Sequence, residues 1–167
     1  MVEKLLETAT LDSDKLPLHF EIYNLVEIIR RAAKKDTLES TNKTISCTLP
    51  DKAMPYKVDV FHFENAINNI IDNAIKYGGN TIEVSLTKHP SYYEITVTDS
   101  GTGLTKGQQQ QIFEKFYRVP KGNTHDVKGF GIGLYYSKKI IEKHQGTISV
   151  KGKPTTQFKI TLPYGRL

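Results

Sequence analysis

Three groups of residues have the types and spacing that chemistry on a charged ligand needs. Asn69, Asn73 and Lys76-Tyr77 recur along one stretch, Asp99 is followed by Gly101 and Gly103, and Gly129-Phe130-Gly131-Ile132-Gly133-Leu134 comes last. An Asn amide oxygen is a hard neutral donor suited to Mg²⁺, which keeps several waters and takes few protein ligands. A Lys beside it supplies a point charge to phosphate. A carboxylate such as Asp99 accepts a hydrogen bond from the exocyclic amine of adenine. It repels the carbonyl oxygen that guanine carries at the same ring position. Gly101 and Gly103 let the backbone turn tightly near a base. Glycines running into a helix expose backbone N–H groups to an anion without side chains in the way. The three groups together predict a pocket for ATP with Mg²⁺.

Each group alone has a plainer explanation. An Asp-Ser-Gly sequence makes turns, an Asn-rich helix face can simply be solvated, and Gly-x-Gly is common between elements. Their ordered combination favours the pocket. The last glycine run is not a P-loop, because no Gly-Lys-Ser/Thr follows. Nor is it a dinucleotide fingerprint, because a loop and not a strand precedes it.

The elements that must position these residues follow from periodicity. Alternation predicts an edge strand at 18–23. Leu25, Ile28, Ile29, Ala32 and Ala33 predict a helix over 24–38. Strands are expected at 44–49 and 56–58. Asp59 is the expected N-cap of a helix over 60–77 with Phe63, Ile67, Ile70, Ile71 and Ala74 on its apolar stripe. Gly78-Gly79 ends it. On that helix Asn65, Asn69, Asn73 and Lys76/Tyr77 form one polar line beside the stripe. Strands at 81–88 and 92–98, a short helix at 105–114, a helix at 133–144 and strands at 147–151 and 157–162 complete the order. Gln108 to Gln111 are placed on the surface of the short helix, and 115–128 reads as a long aperiodic segment. The expected fold is a two-layer α/β sandwich: a mixed, mostly antiparallel sheet of about five strands with about three helices on one face.

A chain of 167 residues suits one domain that buries about 70% of its unfolded surface. Residues 17–167 are assigned to it, and 1–16, with Leu5, Leu6 and Leu11 at helical spacing, to the remnant of a preceding helix and a linker. The start, Met1-Val2-Glu3-Lys4, is not that of a signal peptide, and no apolar run reaches 18 residues. The single Cys47 excludes an intrachain disulfide and a thiolate zinc cluster, which suits a cytoplasmic setting. Residues 1–114 hold 12 basic and 16 acidic residues, whereas 115–167 hold 11 and 2. A basic segment of this kind suits polyphosphate or a solvated face. Nucleic acid is not expected, because no aromatic-basic stripe accompanies the charge.

The same residues resemble the catalytic and ATP-binding domain of bacterial sensor histidine kinases, within the wider GHKL superfamily. Residues 69–77 look like the family's asparagine box, 99–103 and 129–134 like its two glycine boxes, and Ile112-Phe-Glu-Lys-Phe-Tyr-Arg118 like its phenylalanine box. The resemblance covers about 18–163. It implies ATP held between the asparagine-box helix and a lid at roughly 104–130. It assigns Asn69 to Mg²⁺, Asn73 and Lys76 to phosphates, Tyr77 to the ribose or lid, and Arg118 to the γ-phosphate. Thr156 would be a polar group near the base, although the glycine usual directly before this element is replaced by Thr155. Hydrolytic relatives place a Glu where this chain has Asn69, so the general base that activates water is missing. The implied partners are a dimerisation and phospho-acceptor domain and a response regulator, in a parent that is a homodimer of the inner membrane. The acceptor motif, His followed directly by an acid, occurs only at His125-Asp126, without the helix that should follow.

Overall fold

The computed structural model describes residues 16–39, 42–101, 103–117 and 133–164. Its elements run β1 (Glu21–Asn24), α1 (Leu25–Glu39), β2 (Thr44–Thr48), β3 (Pro55–Val58), α2 (Val60–Tyr77), β4 (Thr81–Lys88), β5 (Tyr92–Asp99), α3 (Lys106–Gln111), α4 (Gly133–Lys143), β6 (Thr147–Lys151) and β7 (Thr156–Pro163). The order is the one the periodicity predicts. The expected helix remnant before residue 16 lies outside the described residues. Leu16 itself packs against Ala66 and Ile140, as Tyr136 does.

A five-stranded sheet has the order β2-β4-β5-β7-β6. Only β2 and β4 are parallel, and the remaining pairs are antiparallel. Strict alternation puts Ile82, Val84 and Leu86, then Tyr93, Ile95, Val97 and Asp99, then Thr156, Phe158, Ile160 and Leu162 on the buried face. Helices α1, α2 and α4 cover that face, and α1 also packs on α2 and α2 on α4. Their stripes of Leu25, Ile28, Ile29 and Ala32, of Phe63, Ile67, Ile70 and Ile71, and of Leu134 and Ile141 share one core with the sheet. No helix among the described residues is long and apolar enough to cross a membrane.

Two elements differ from expectation. The first strand begins at Glu21 and pairs with β3 in a separate two-stranded sheet. The residues before it are drawn onto the helices instead: His19 N–H donates to Asp59 Oδ2 at 2.7 Å, and the Phe20 ring meets His144 edge-on at 5.1 Å. The short helix ends at Gln111, not at 114. Its glutamines do more than cover a surface. Gln108 forms a capping box with Thr105, and Gln109 Nε2 donates to the Leu104 carbonyl.

Asp59 caps α2 and ties its start to two other segments. Its Oδ1 accepts from His62 N–H at 3.0 Å as a helix cap. Its Oδ2 holds the chain at His19, and its own N–H donates to Nε2 of the fully buried His144. Nδ1 of His144 donates to the Ile140 carbonyl at 2.7 Å, which fixes the tautomer. Asp59→Ala removes the cap and leaves two backbone N–H groups unpaired. We expect a loss of about 1–3 kcal/mol, read as a lower urea midpoint at unchanged slope. A midpoint equal to wild type contradicts the role given to this carboxylate.

Candidate nucleotide site

The central strand β5 ends at Asp99, whose side chain is 4% exposed. Oδ1 accepts from the Gly101 N–H at 2.8 Å. Oδ2 has no hydrogen-bond partner among the described residues. A buried carboxylate with one occupied and one available oxygen is a directional acceptor. Thr156 lies directly across the β5–β7 ladder from Asp99 and is buried on the same face. Directly opposed residues hold their Cβ atoms about 4.5–5.5 Å apart, so the pairing at the end of β5 brings the side chain of Thr156 beside Asp99 despite the altered sequence before it.

The end of α2 presses onto this corner. The cap residue Gly78 is extended, with φ −90° and ψ −168°, so a left-handed cap is not what requires glycine here. Space requires it. A Cβ on Gly78 would lie 2.5 Å from Asp99 Cγ and 2.5 Å from the Ala74 carbonyl oxygen, and one on Gly79 would lie 2.7 Å from Gly101 N. The Ser100 N–H donates to the Thr81 carbonyl, and the Thr81 N–H donates to Ser100 Oγ, which closes the corner from the β4 side. From β2, the Thr44 N–H donates to Asn80 O and Lys43 Nζ to the carbonyls of Gly78 and Gly79. Gly103 has φ +88° and a Cβ there would strike the Gly152 carbonyl. The turn against the β6–β7 connection is thus sufficient to require glycine here.

The polar line of α2 runs toward this corner along a seam with α4. His62 Nδ1 meets the Tyr136 hydroxyl at 2.7 Å and Ser137 Oγ donates to the Ala66 carbonyl at 2.7 Å. Asn69 Nδ2 reaches the Gly133 carbonyl at 3.4 Å. The seam sets the start of α4 beside Asn69. The Asn69 amide oxygen accepts no hydrogen bond among the described residues, so it is available to a cation. Lys76 is salt-bridged to Asp72 at 2.9 Å with both side chains largely in solvent. Tyr77 is half-buried in the last turn. No group of three or more His, Cys, Asp or Glu side chains that could hold a metal occurs among the described residues.

Asn69, Gly133, Asp99, Gly101 and Thr156 are thus brought to one side of the domain, with Asn73, Lys76 and Tyr77 on the helix between them. Leu134, predicted as part of the glycine run, is buried in the core and anchors α4. Arg118, Gly129, Phe130, Gly131 and Ile132 lie outside the described residues. The segment expected as a lid is anchored in its first part: Leu104 and Ile112 are buried and Phe113 stands edge-on to Phe158 at 6.0 Å. Ser100 and Lys43 were not predicted for the site. Ser100 lay inside the turn motif and was legible there. Lys43 carries no motif and joins the corner only because β2 pairs with β4. Burial pushes the Cys47 thiol and the Tyr93 phenol up, and hydrogen bonds to Tyr23 and Glu64 raise Arg31. None of these groups belongs to the site.

A sheet covered on one face, a buried aspartate closing its central strand and asparagines beside a helix start define a nucleotide-handling domain of the kinase and ATPase kind. The profile of the histidine kinase-, DNA gyrase B-, and HSP90-like ATPases matches residues 58–166, and the chain belongs to this family. It is 36% identical over 170 residues to the sensor protein RprX of Bacteroides fragilis, covering 97% of this chain and 33% of that protein. It is 31% identical over 170 residues to the sensor protein kinase WalK of Staphylococcus aureus, covering 98% of this chain and 41% of that protein. The solved structure of the mycobacterial sensor histidine kinase MprB superposes with a TM-score of 0.74 at 25% identity, over 87% of this chain and 97% of that one. The chain is an ATPase domain of the sensor-histidine-kinase type, and it spans well under half the length of the two curated relatives.

Gly78→Ala tests the packed corner. We expect about 1–3 kcal/mol of destabilisation from overpacking against Asp99, measured by urea unfolding. Alanine at the neighbouring exposed Asn80 should change stability by less than ~0.5 kcal/mol. Equal stability of Gly78→Ala and wild type would show that the corner has room the geometry denies it.

Proposed function

We propose that the chain binds ATP with Mg²⁺ and transfers the γ-phosphoryl group to a histidine on a dimerisation and phospho-acceptor domain, for relay to a response regulator. The observation that carries this reading is the Asp99 carboxylate, buried at a sheet end with one oxygen held by Gly101 and the other available. That oxygen accepts from the adenine amine, with Thr156 beside it. Asn69 would hold Mg²⁺ through its amide oxygen, together with phosphate oxygens and water. The ion would neutralise charge between the phosphates. Asn73 and Lys76 donate to phosphate oxygens and Tyr77 lies toward the ribose. An exposed pair such as Lys76–Asp72 contributes only about 0.3–0.5 kcal/mol, little beside the attraction of a lysine to phosphate. The glycine run 129–133 would bring backbone N–H groups to the phosphates, and Arg118 would stabilise the transferred charge.

The transfer forms a phosphorus–nitrogen bond at the acceptor imidazole and breaks the bond between the γ-phosphorus and its bridging oxygen, releasing ADP. Positioning and charge supply most of the acceleration. Asn69 offers no carboxylate to activate water, so hydrolysis competes poorly. Among the described histidines none is followed by an acid as the acceptor motif requires, and His144 is also fully buried and His62 bonded to Tyr136. The acceptor therefore comes from outside the described residues, in a parent that we read as a membrane-bound homodimer with this domain in the cytoplasm. That reading rests on resemblance to sensor kinases.

The test mixes this chain, γ-labelled ATP, Mg²⁺ and the acceptor domain of the same parent. Acid-labile, base-stable label should appear on the acceptor, at a rate rising with acceptor concentration. ATP turnover without acceptor should stay far below the enzyme median of ~10 s⁻¹. Label on this chain in the absence of acceptor, or turnover near that median, would contradict the proposal.

A further inference from the structure

Lys43 precedes β2 and lies far in sequence from every motif of the site. It is half-buried, and its Nζ donates to Gly79 O at 2.8 Å and to Gly78 O at 3.1 Å. A lysine that merely complements a helix dipole usually sits in the helix's own last turn. Here that position is filled by Lys76, which is paired with Asp72. Lys43 reaches the turn from the residue before β2 and binds Gly79, which is already past the helix. The two carbonyls it holds belong to the two glycines whose backbone lies against Asp99, Ser100 and Gly101.

We infer that Lys43 is a positioning residue for the base-reading carboxylate of Asp99. The inference rests on the reading of Asp99 as the adenine acceptor. The Gly78-Gly79 turn has no side chains of its own to anchor it, and glycine gives the backbone more freedom than any other residue. The hydrogen bonds that hold it laterally come from β2: the Lys43 ammonium on two carbonyls and the Thr44 N–H on Asn80 O. Hydrogen bonds from a charged donor are the stronger of these. The turn in turn forms the wall on which Asp99 Cγ rests, so its position sets where the available Oδ2 points. Without Lys43 the turn relaxes outward, Asp99 gains room to rotate, and the oxygen no longer faces a fixed donor. Lys43 thereby controls the selection of adenine over guanine without touching nucleotide.

The experiment measures ATP and GTP binding by calorimetry, with Mg²⁺, for wild type, Lys43→Met and Lys43→Arg. Wild type should prefer ATP. Lys43→Met should bind ATP about tenfold more weakly, with GTP affinity much less changed, so the preference narrows by a similar factor. Lys43→Arg keeps a charged donor and should recover most of the preference. Equal weakening of both nucleotides would make Lys43 a general support of the fold and overturn the inference, as would an unchanged preference in Lys43→Met. A wild-type chain that binds ATP and GTP alike overturns the reading of Asp99 instead, and the inference with it. Lys43→Gln, which keeps a neutral donor of similar length, is read by the same ratio should the methionine variant not fold.

Discussion

The contact on which the site depends is the approach of a glycine backbone to a buried carboxylate. Gly78 and Gly79 end α2 against Asp99, Ser100 and Gly101 so closely that no side chain fits between them. Burial of a carboxylate without compensation is costly. Here Oδ1 is satisfied by the Gly101 N–H, and the other oxygen keeps its capacity for a ligand. Four strands and a helix meet in the corner, with Asp99 at the end of β5. β4 contributes Thr81, β7 contributes Thr156 across the ladder, β2 contributes the bonds to the turn, and α2 contributes the turn itself. A single polar group is thereby aimed by the topology of the sheet.

The second constraint is the polar seam between α2 and α4. Three contacts, His62 with Tyr136, Ala66 with Ser137 and Asn69 with Gly133, fix how the start of α4 stands beside the asparagine line. At the far end His144 and Asp59 lock α4 to the cap of α2 through backbone hydrogen bonds. The two helices are therefore joined at both ends, so that the start of α4 is held in register with the Asp99 corner. Binding energy need not be spent on assembling these groups.

Much of this was legible in the residues. Alternation in 81–99 and 156–163 and the stripe of α2 depend on local periodicity, and element order followed from them. The Asp59 cap has a local side-chain mechanism and was equally readable. What escaped were contacts made by topology. Nothing in residues 18–23 distinguishes a strand of the main sheet from one that pairs with β3, because the choice is made by Asp59 and His144 from elsewhere in the chain. The glycines illustrate the same limit. Gly78 follows a helix and suggests a left-handed cap, yet its backbone is extended and Asp99 decides the residue. Gly103 has a positive φ and stands against the Gly152 carbonyl, a contact that no local pattern announces. Lys43 had no local signature at all. Its role appears only when the parallel pairing of β2 with β4 brings it to the end of α2.

The account stands or falls on Asp99 as the group that reads the base. Calorimetry of ATP and GTP with Mg²⁺ on wild type and Asp99→Ala tests it most directly, with urea unfolding as the control for a folded variant. The account predicts that wild type prefers ATP and that Asp99→Ala loses about 1.5–3 kcal/mol of ATP affinity while GTP binding changes little. Equal ATP affinity in the two folded proteins would contradict it and remove Asp99 from the site.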